Sequence, residues 1–393
     1  MPHQLIDRSA DLKRLRDEGF DLEIRSGFLL VKDVPYVTPN RKVKRGTIVT
    51  ALTLAGDKTT KPTDHVVEFT GETPCDHTGA ALNRVIIESA RRQIADNLVV
   101  NHRFSSKPLT TGVYPDYYEK ITAYIAILES FARVIDPAAS ARTFPVVRED
   151  GDESPFAYVD TATSRAAIGV AVRKLQLAKL ASVGLGGTGG YILDLVAKTP
   201  VREIHLFDGD VFLSHNAFRA PGAASVATLE SKLMKVDYYA RTYLEMHRGV
   251  QPHPYYLDAT NVSELKNMDF AFLAIDAGES KRIVVEALEA FHKPFIDVGI
   301  GITQVDDALT GLVRVTSSVP EKRDHFRERV SLGASAERGI YDQNIQIAEL
   351  NALNAALAVV RWKKFCGFYL DFESEFHSTF SIDCNVIAND DSA

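Results

Sequence analysis

The chain has 393 residues, 45% hydrophobic and 25% charged. This composition builds an apolar core without staples, and the length suits two domains better than one. A formal net charge of −7 gives a bulk field that does not favour nucleic acid or an anionic membrane, and no run of about 18 apolar residues is present to span a bilayer. Three cysteines, Cys75, Cys366 and Cys384, form no Cys-x-x-Cys pair, and the charged N-terminus holds no apolar signal core; together these predict reduced thiols in a soluble cytoplasmic protein.

Residues 1–145 predict a smaller α+β accessory domain. Stretches 26–37, 46–54 and 65–71 are rich in β-branched residues between Gly, Pro and Asn and read as strands. TGAALNRVIIESARRQIA, residues 78–95, reads as a helix with Leu82, Val85 and Ile86 on one face. Residues 115–135 read as a strong helix with Pro115 in its first turn. The acidic, polar stretch 146–164, with Gly151 and Pro155, is the predicted linker.

Residues 165–393 change rhythm. Apolar strands at 179–185, 202–208, 253–259, 269–275 and 294–300 alternate with amphipathic helices at 188–198, 226–247 and 279–292. This alternation predicts a mostly parallel, Rossmann-like α/β sheet with helices on both faces. Residues 308–318 read as antiparallel material, and 344–365 as a last long helix stopped by Gly367.

The chemistry starts at GLGGTGG, residues 184–190. Gly184, Gly186 and Gly189 fit G-x-G-x-x-G between a strand and a helix, where backbone N–H groups and the helix N-terminus take a phosphate. Gly187 and Gly190 add further N–H groups, which favours a triphosphate over a dinucleotide. Asp208 stands where a nicotinamide enzyme keeps its ribose acid, so an NAD(P)-dependent oxidoreductase remains open on the glycines alone. The next stretch discriminates. DGDVFLSHNAFR supplies Asp208, Asp210, Asn216 and Arg219, followed by Lys232 and Lys235 and then by Asp276 at a strand end. An enzyme attacking the α-phosphate of ATP uses such a set: an acid for ribose, cations for phosphate charge, and a second acid for Mg²⁺.

With these motifs (GLGGTG, DGDVFLSHNAFR, KVDYYARTYLEMH and AIDAGESKR) residues 165–310 resemble the ubiquitin-activating, ThiF/MoeB-like superfamily of adenylyltransferases. The resemblance implies Mg-ATP-dependent activation of the C-terminal glycine of a ubiquitin-like or sulfur-carrier protein, with pyrophosphate released. It places Gly184, Gly186, Gly187 and Gly189 along the phosphates, Asp210 on the ribose, Asn216 and Arg219 on the phosphates, and Asp276 on Mg²⁺, with Asp208 counted among the nucleotide-binding residues. The family lysine maps to Lys235, with Lys232 as fallback. The arginine N-terminal to the glycine turn maps to Arg165, with Arg173 as fallback. Relatives pair through the sheet domain, so a homodimer is expected. This chain lacks the family's zinc cysteines, so no structural zinc is expected; it has Asp276-Ala277 where relatives have Asp-Asn, and Lys281 or Arg282 for a following arginine. An inactive scaffold, or an enzyme adenylating a small molecule or tRNA base, stays open beside the main reading.

A thioester step would need an exposed, activated thiolate. Cys75, with His77 two residues on and a predicted helix start beside it, is one candidate; Cys384, in a polar tail expected to swing, is the other. Cys366 reads as packing. The N-terminal domain resembles, on HVVEFTGETPCD and HRFSSKP, an accessory domain fused to activating proteins in bacterial conjugation-like operons. It is expected to bind the carrier or a conjugating-type partner, or to be a degenerate conjugating domain.

Overall fold

A computed structural model describes residues 2–108, 111–148, 154–333 and 345–392, with side chains from Leu5 onward. The chain divides into two compact units, Met1–Val147 and Arg148–Ala393. Of the predicted linker, residues 149–153 lie outside the described residues, and the short helix Thr161–Arg165 occupies its end.

The N-terminal unit is a six-stranded antiparallel sheet in the spatial order Leu22–Arg25, Phe28–Val37, Val43–Ala51, Val66–Thr70, Leu98–Ser105, Ile86–Ala95. Helix Tyr117–Ile135 buries Tyr117, Ile121, Tyr124, Ile125 and Leu128 against it. Asp116 caps this helix by accepting from the Glu119 N–H at 2.8 Å, which places Pro115 just before the cap rather than in the first turn. Lys120 is buried with it, and its ammonium reaches Thr50 Oγ1 at 2.9 Å and Asp64 Oδ1 at 3.1 Å.

Residues 78–95 are not a helix. Ile86–Ala95 is an edge strand paired antiparallel with Leu98–Ser105, and the two are joined by a turn in which Asn97 adopts a φ of 56°. Three register irregularities in that pairing break strict alternation and leave the helix-like spacing seen in the sequence. The informative signal was Asp96-Asn97 followed by the alternating LVVNHRF, a turn and its return strand.

The C-terminal unit carries an eight-stranded sheet. Its parallel part runs Val250–His253, Glu203–Phe207, Lys179–Val183, Phe270–Leu273, Phe295–Val305; Ala308–Ser318, Glu375–Ser381 and Val386–Ser392 continue it antiparallel. The first strand of this unit, Lys179–Val183, lies between its second and its fourth, so the topology switches there. Open α/β sheets bind ligands at the carboxyl side of such a switch. Register sets the level: Val183 pairs with both Phe207 and Leu273. The residues that follow these three ends, Gly184, Asp208 and Ala274, therefore arrive together. Trp362 of helix Ala348–Phe365 is fully buried against the rings of Phe270 and Phe272. That helix starts at Ala348 (Asn344, the first residue of the predicted run, lies outside the described residues) and ends on Gly367, whose φ of 71° closes a turn with Gly367 N–H on Lys364 O and Phe368 N–H on Lys363 O.

The long helix expected over 226–247 is broken into Val226–Glu230 and Lys235–Tyr243. Lys232 takes a left-handed φ of 47° at the break, and the Phe212 N–H donates to Leu233 O at 2.8 Å. Pairing between the segment after Asp210 and the segment before Lys235 outweighs local helical preference. The strand expected at 253–259 sits earlier, at Val250–His253, and leaves Tyr255–Leu257 as a loop. The polar C-terminal tail is not a free arm: it forms the hairpin of Glu375–Ser381 and Val386–Ser392 on the sheet edge. Among the described residues, no helix is long and apolar enough to cross a membrane.

That hairpin carries a titrating group. Arg314 donates to Thr316 Oγ1 at 2.6 Å, and the same hydroxyl lies 2.9 Å from His377 Nδ1 in a hydrogen bond whose direction follows the imidazole tautomer. Burial, together with Arg329 and Arg314, pushes His377 down to about 4. Because its folded value lies below the unfolded one, the unfolded chain binds the extra proton between those values. Stability is then full above about pH 6.5 and falls as the pH drops toward 4. The expected loss from this one group is about 2 kcal/mol by pH 5; urea midpoints at pH 7.5 and pH 5 check it, with the wild type falling further than His377→Gln.

Candidate functional site

One cleft of about 340 Å³ opens at the switch point, lined by Gly184, Gly186, Asp208, Asp210, Arg219, Lys235, Tyr256, Asp276, Ser280 and Gln346 among others. The glycine turn is tight because backbone meets backbone. Gly184 has a φ of +87°, and a Cβ there would lie 2.4 Å from Ala274 O. A Cβ on Gly189 would lie 2.0 Å from Gly184 O. At Gly186, the N-cap of helix Gly187–Val196, nothing lies within 4 Å of that position, so this is the glycine whose bare backbone faces open space.

The two additional glycines also have packing roles. Gly187 makes room for Asn351, whose Nδ2 would be 2.0 Å from a Cβ, and Gly190 for the Tyr239 hydroxyl at 2.3 Å. The Gly190 N–H is spent inside the helix on Gly186 O at 2.9 Å. The count of glycines therefore carries no preference for a triphosphate.

The two acids of the D-x-D differ. Asp208 is buried and accepts from Leu185 N–H at 2.7 Å and Asp210 N–H at 2.8 Å, bracing the glycine turn against the next loop. Asp210 is half-exposed on the cleft wall; it accepts from Lys235 Nζ at 2.5 Å and from the Tyr256 hydroxyl. Burial raises its carboxyl, but these two bonds outweigh burial and hold it below the usual carboxylate range. Lys235 is buried at the start of its helix, with Asp208 Oδ2 3.6 Å away. Lys232 is exposed in the helix break and does not line the cleft. Asp276 is exposed and lines the cleft, three residues past Leu273.

Arg219 reaches the cleft with its Nε buried and without a hydrogen-bond partner among the described residues; Gln346 Oε1 is in the same condition. Such orphaned buried polar atoms cost stability unless something pairs with them. Asn216 does not reach the cleft: it is buried, and its Oδ1 accepts from the Leu213 N–H at 2.9 Å, capping its own short helix. Arg165 and Arg173 are exposed on short helices and do not line the cleft. Lys281 is buried between Asp297 Oδ1 at 2.6 Å and Ile275 O at 3.1 Å, whereas Arg282 pairs with Glu279 and Glu286 on the surface. Sequence reasoning missed Tyr256, Ser280, Gln346 and Asn351. Tyr256, Gln346 and Asn351 come from a loop or helix distant in the chain and carry no motif, whereas Ser280 lies within AIDAGESKR, four residues past Asp276.

The cysteines stand in unlike surroundings. Cys75 is 1% exposed, no helix starts beside it, and its Sγ donates to Thr73 O at 3.3 Å. Burial, and then Asp76, push its thiol up, opposite to the activation expected, and the His77 ring stacks on Phe131. Burial pushes Cys366 up to about 11. Cys384 is exposed in the turn of the C-terminal hairpin. A disulfide-exchange reagent on the native protein is therefore expected to modify Cys384 within minutes, and Cys75 only after unfolding; peptide mapping of the labelled chain reads this directly.

Fold and cleft together define a Rossmann-like α/β domain with a cleft at its topological switch point. Residues 161–358 match the model of the ThiF family, just over half of the chain, and the chain belongs to that family of adenylyltransferases. Residues 10–161 match a domain of unknown function, DUF6791. A comparison with curated proteins finds no match. Solved structures similar to the chain include E. coli MccB with MccA-N7isoASN, at 20% identity over 60% of this chain and 73% of that one with a TM-score of 0.45. They also include E. coli MccB with ATP (20%, 60% and 72%, TM-score 0.44) and PaaA (18%, 56% and 75%, TM-score 0.43). None of these likenesses assigns a substrate to this chain.

Proposed function

We propose that the C-terminal unit adenylates the C-terminal carboxylate of a protein partner, a ubiquitin-like or sulfur-carrier protein ending in glycine, with ATP as co-substrate. The observation that carries this reading is Arg219: its Nε is buried without a hydrogen-bond partner among the described residues, and its side chain lines the same cleft as Gly186 and Asp210. A phosphate would satisfy that cation, and a ribose hydroxyl would meet Asp210. A carboxylate oxygen of the partner attacks the α-phosphorus; the bond from that phosphorus to the bridging oxygen breaks, and pyrophosphate leaves. No general base is needed, because the attacking carboxylate is already ionised at neutral pH. Arg219 and Lys235 answer the negative charge that builds on the phosphates, and the rigid turn aligns the reacting atoms.

Among the described residues, no three His, Cys, Asp or Glu side chains are grouped to hold a metal ion by themselves. Magnesium suits a sparser set, one or two carboxylates plus substrate phosphates and water, and Asp276 fits that role. Bound there, Mg²⁺ would offset phosphate charge. Arg165 belongs to the same reading as a residue reaching a second copy's cleft in a homodimer in the cytoplasm. The N-terminal unit would then receive the carrier or a conjugating-type partner, with Cys384 the more accessible thiol for any later thioester. The test is exchange of labelled pyrophosphate into ATP, with and without a Gly-terminated carrier. Carrier-dependent exchange supports the reading; NADH binding without exchange overturns it.

A further inference from the structure

Tyr256 is held to the cleft wall by two features. Its ring lies on Gly209, where a Cβ would come within 2.8 Å of Cδ2 and Cε2. Its hydroxyl donates to Asp210 Oδ1, while Lys235 Nζ donates to Oδ2 at 2.5 Å, so each oxygen of this carboxylate already has a donor.

The two donors are not equally fixed. Lys235 is 6% exposed, and its own N–H is tied to Asp210 O at 2.8 Å. Tyr256 is 58% exposed on the loop after Val250–His253. A rotation that takes the phenol off Asp210 costs one exposed hydrogen bond and little packing. The Asp210 bond, and then burial, push the phenol up to about 12, so it stays protonated at neutral pH. It is then a neutral O–H donor, the same chemistry a ribose hydroxyl presents.

We propose that the Tyr256 hydroxyl occupies the place of a ribose hydroxyl on Asp210 Oδ1, so that Tyr256 moderates the cleft's preference for ribonucleotides by competing for that oxygen. The inference rests on the reading that Asp210 takes the ribose. A nucleotide with ribose hydroxyls replaces one O–H donor by another and leaves Asp210 satisfied. A sugar without them has nothing to exchange and leaves the phenol where it is. The apparent affinity for ATP is lowered by the fraction of molecules in which the phenol holds the oxygen, and the affinity for a dideoxynucleotide is not.

The test uses the full chain and isothermal titration with ATP and with 2′,3′-dideoxy-ATP, on the wild type, Tyr256→Phe and Asp210→Asn. Tyr256→Phe is expected to bind ATP about three- to tenfold more tightly and dideoxy-ATP as the wild type does. Unchanged or weaker ATP binding by Tyr256→Phe overturns the competition, as does an equal gain for both nucleotides, which would make the ring the obstacle. Asp210→Asn separates the two levels. It is expected to erase the wild-type preference for ATP over dideoxy-ATP. If it leaves that preference intact, the ribose role of Asp210 fails and the Tyr256 inference with it. If it erases the preference while Tyr256→Phe changes nothing, only the Tyr256 inference fails.

Discussion

Asp276→Ala is expected to lower carrier-dependent ATP–pyrophosphate exchange by about a hundredfold or more with no shift in the thermal midpoint. Asp276 is exposed and lines the cleft, so removing it leaves no cavity in the core. The groups proposed to grip the nucleotide, the Gly186 backbone and Arg219, lie on other segments and are untouched. Binding of ATP without metal should therefore survive, and the loss should fall on the chemical step. Asp276→Asn keeps the size and one acceptor oxygen but loses the charge that magnesium requires, and is expected to recover little. Exchange in Asp276→Ala above about a tenth of the wild-type rate would place the metal role on another group. A fall in thermal midpoint would instead mean that Asp276 braces the loop before helix Glu279–Ala290.

What could be read in the sequence was local. Strand, turn and helix around GLGGTG follow from residues within twenty positions of each other, and so does the alternation that gives the parallel sheet. What could not be read depended on partners far along the chain. Lys232 and Lys235 are neighbours on one predicted helix, and only the resemblance favours Lys235. The pairing of Phe212 with Leu233 breaks that helix and turns only Lys235 into the cleft. Asn216 looks like a phosphate ligand in DGDVFLSHNAFR, yet the Leu213 N–H three residues back claims its oxygen. Gly187 and Gly190 read in the sequence only as N–H donors; the space they leave for Asn351 and Tyr239, residues roughly 160 and 50 positions away, could not be read there. Tyr256 and Gln346 carried no pattern at all; the cleft has them because loops end there.

Gly189→Ala is expected to destabilise the C-terminal unit by about 3 kcal/mol or to prevent its folding, whereas Gly186→Ala should leave stability within about 0.5 kcal/mol of wild type. The two glycines are three residues apart in one motif, and a sequence pattern treats them alike. Space separates them. A Cβ added at Gly189 would stand 2.0 Å from Gly184 O and 2.9 Å from Gly184 C, both backbone atoms. Gly184 has no room to give, because its own Cβ position is 2.4 Å from Ala274 O and its N–H is fixed on Phe207 O at 2.8 Å. Relief has to come from moving helix Gly187–Val196 off the sheet, and that helix carries Ile192, Leu193 and Val196 into the core. At Gly186 the added methyl meets no atom within 4 Å, and φ is −68°, a value any residue adopts. Its cost should appear only with nucleotide, since the methyl enters the space from which a phosphate would approach the helix N-terminus. Urea unfolding and ATP titration of the two variants should therefore give opposite patterns: lost stability for Gly189→Ala, and retained stability with weakened ATP binding for Gly186→Ala. Equal destabilisation by both would mean that the whole turn, and not one close approach within it, is what the glycines serve.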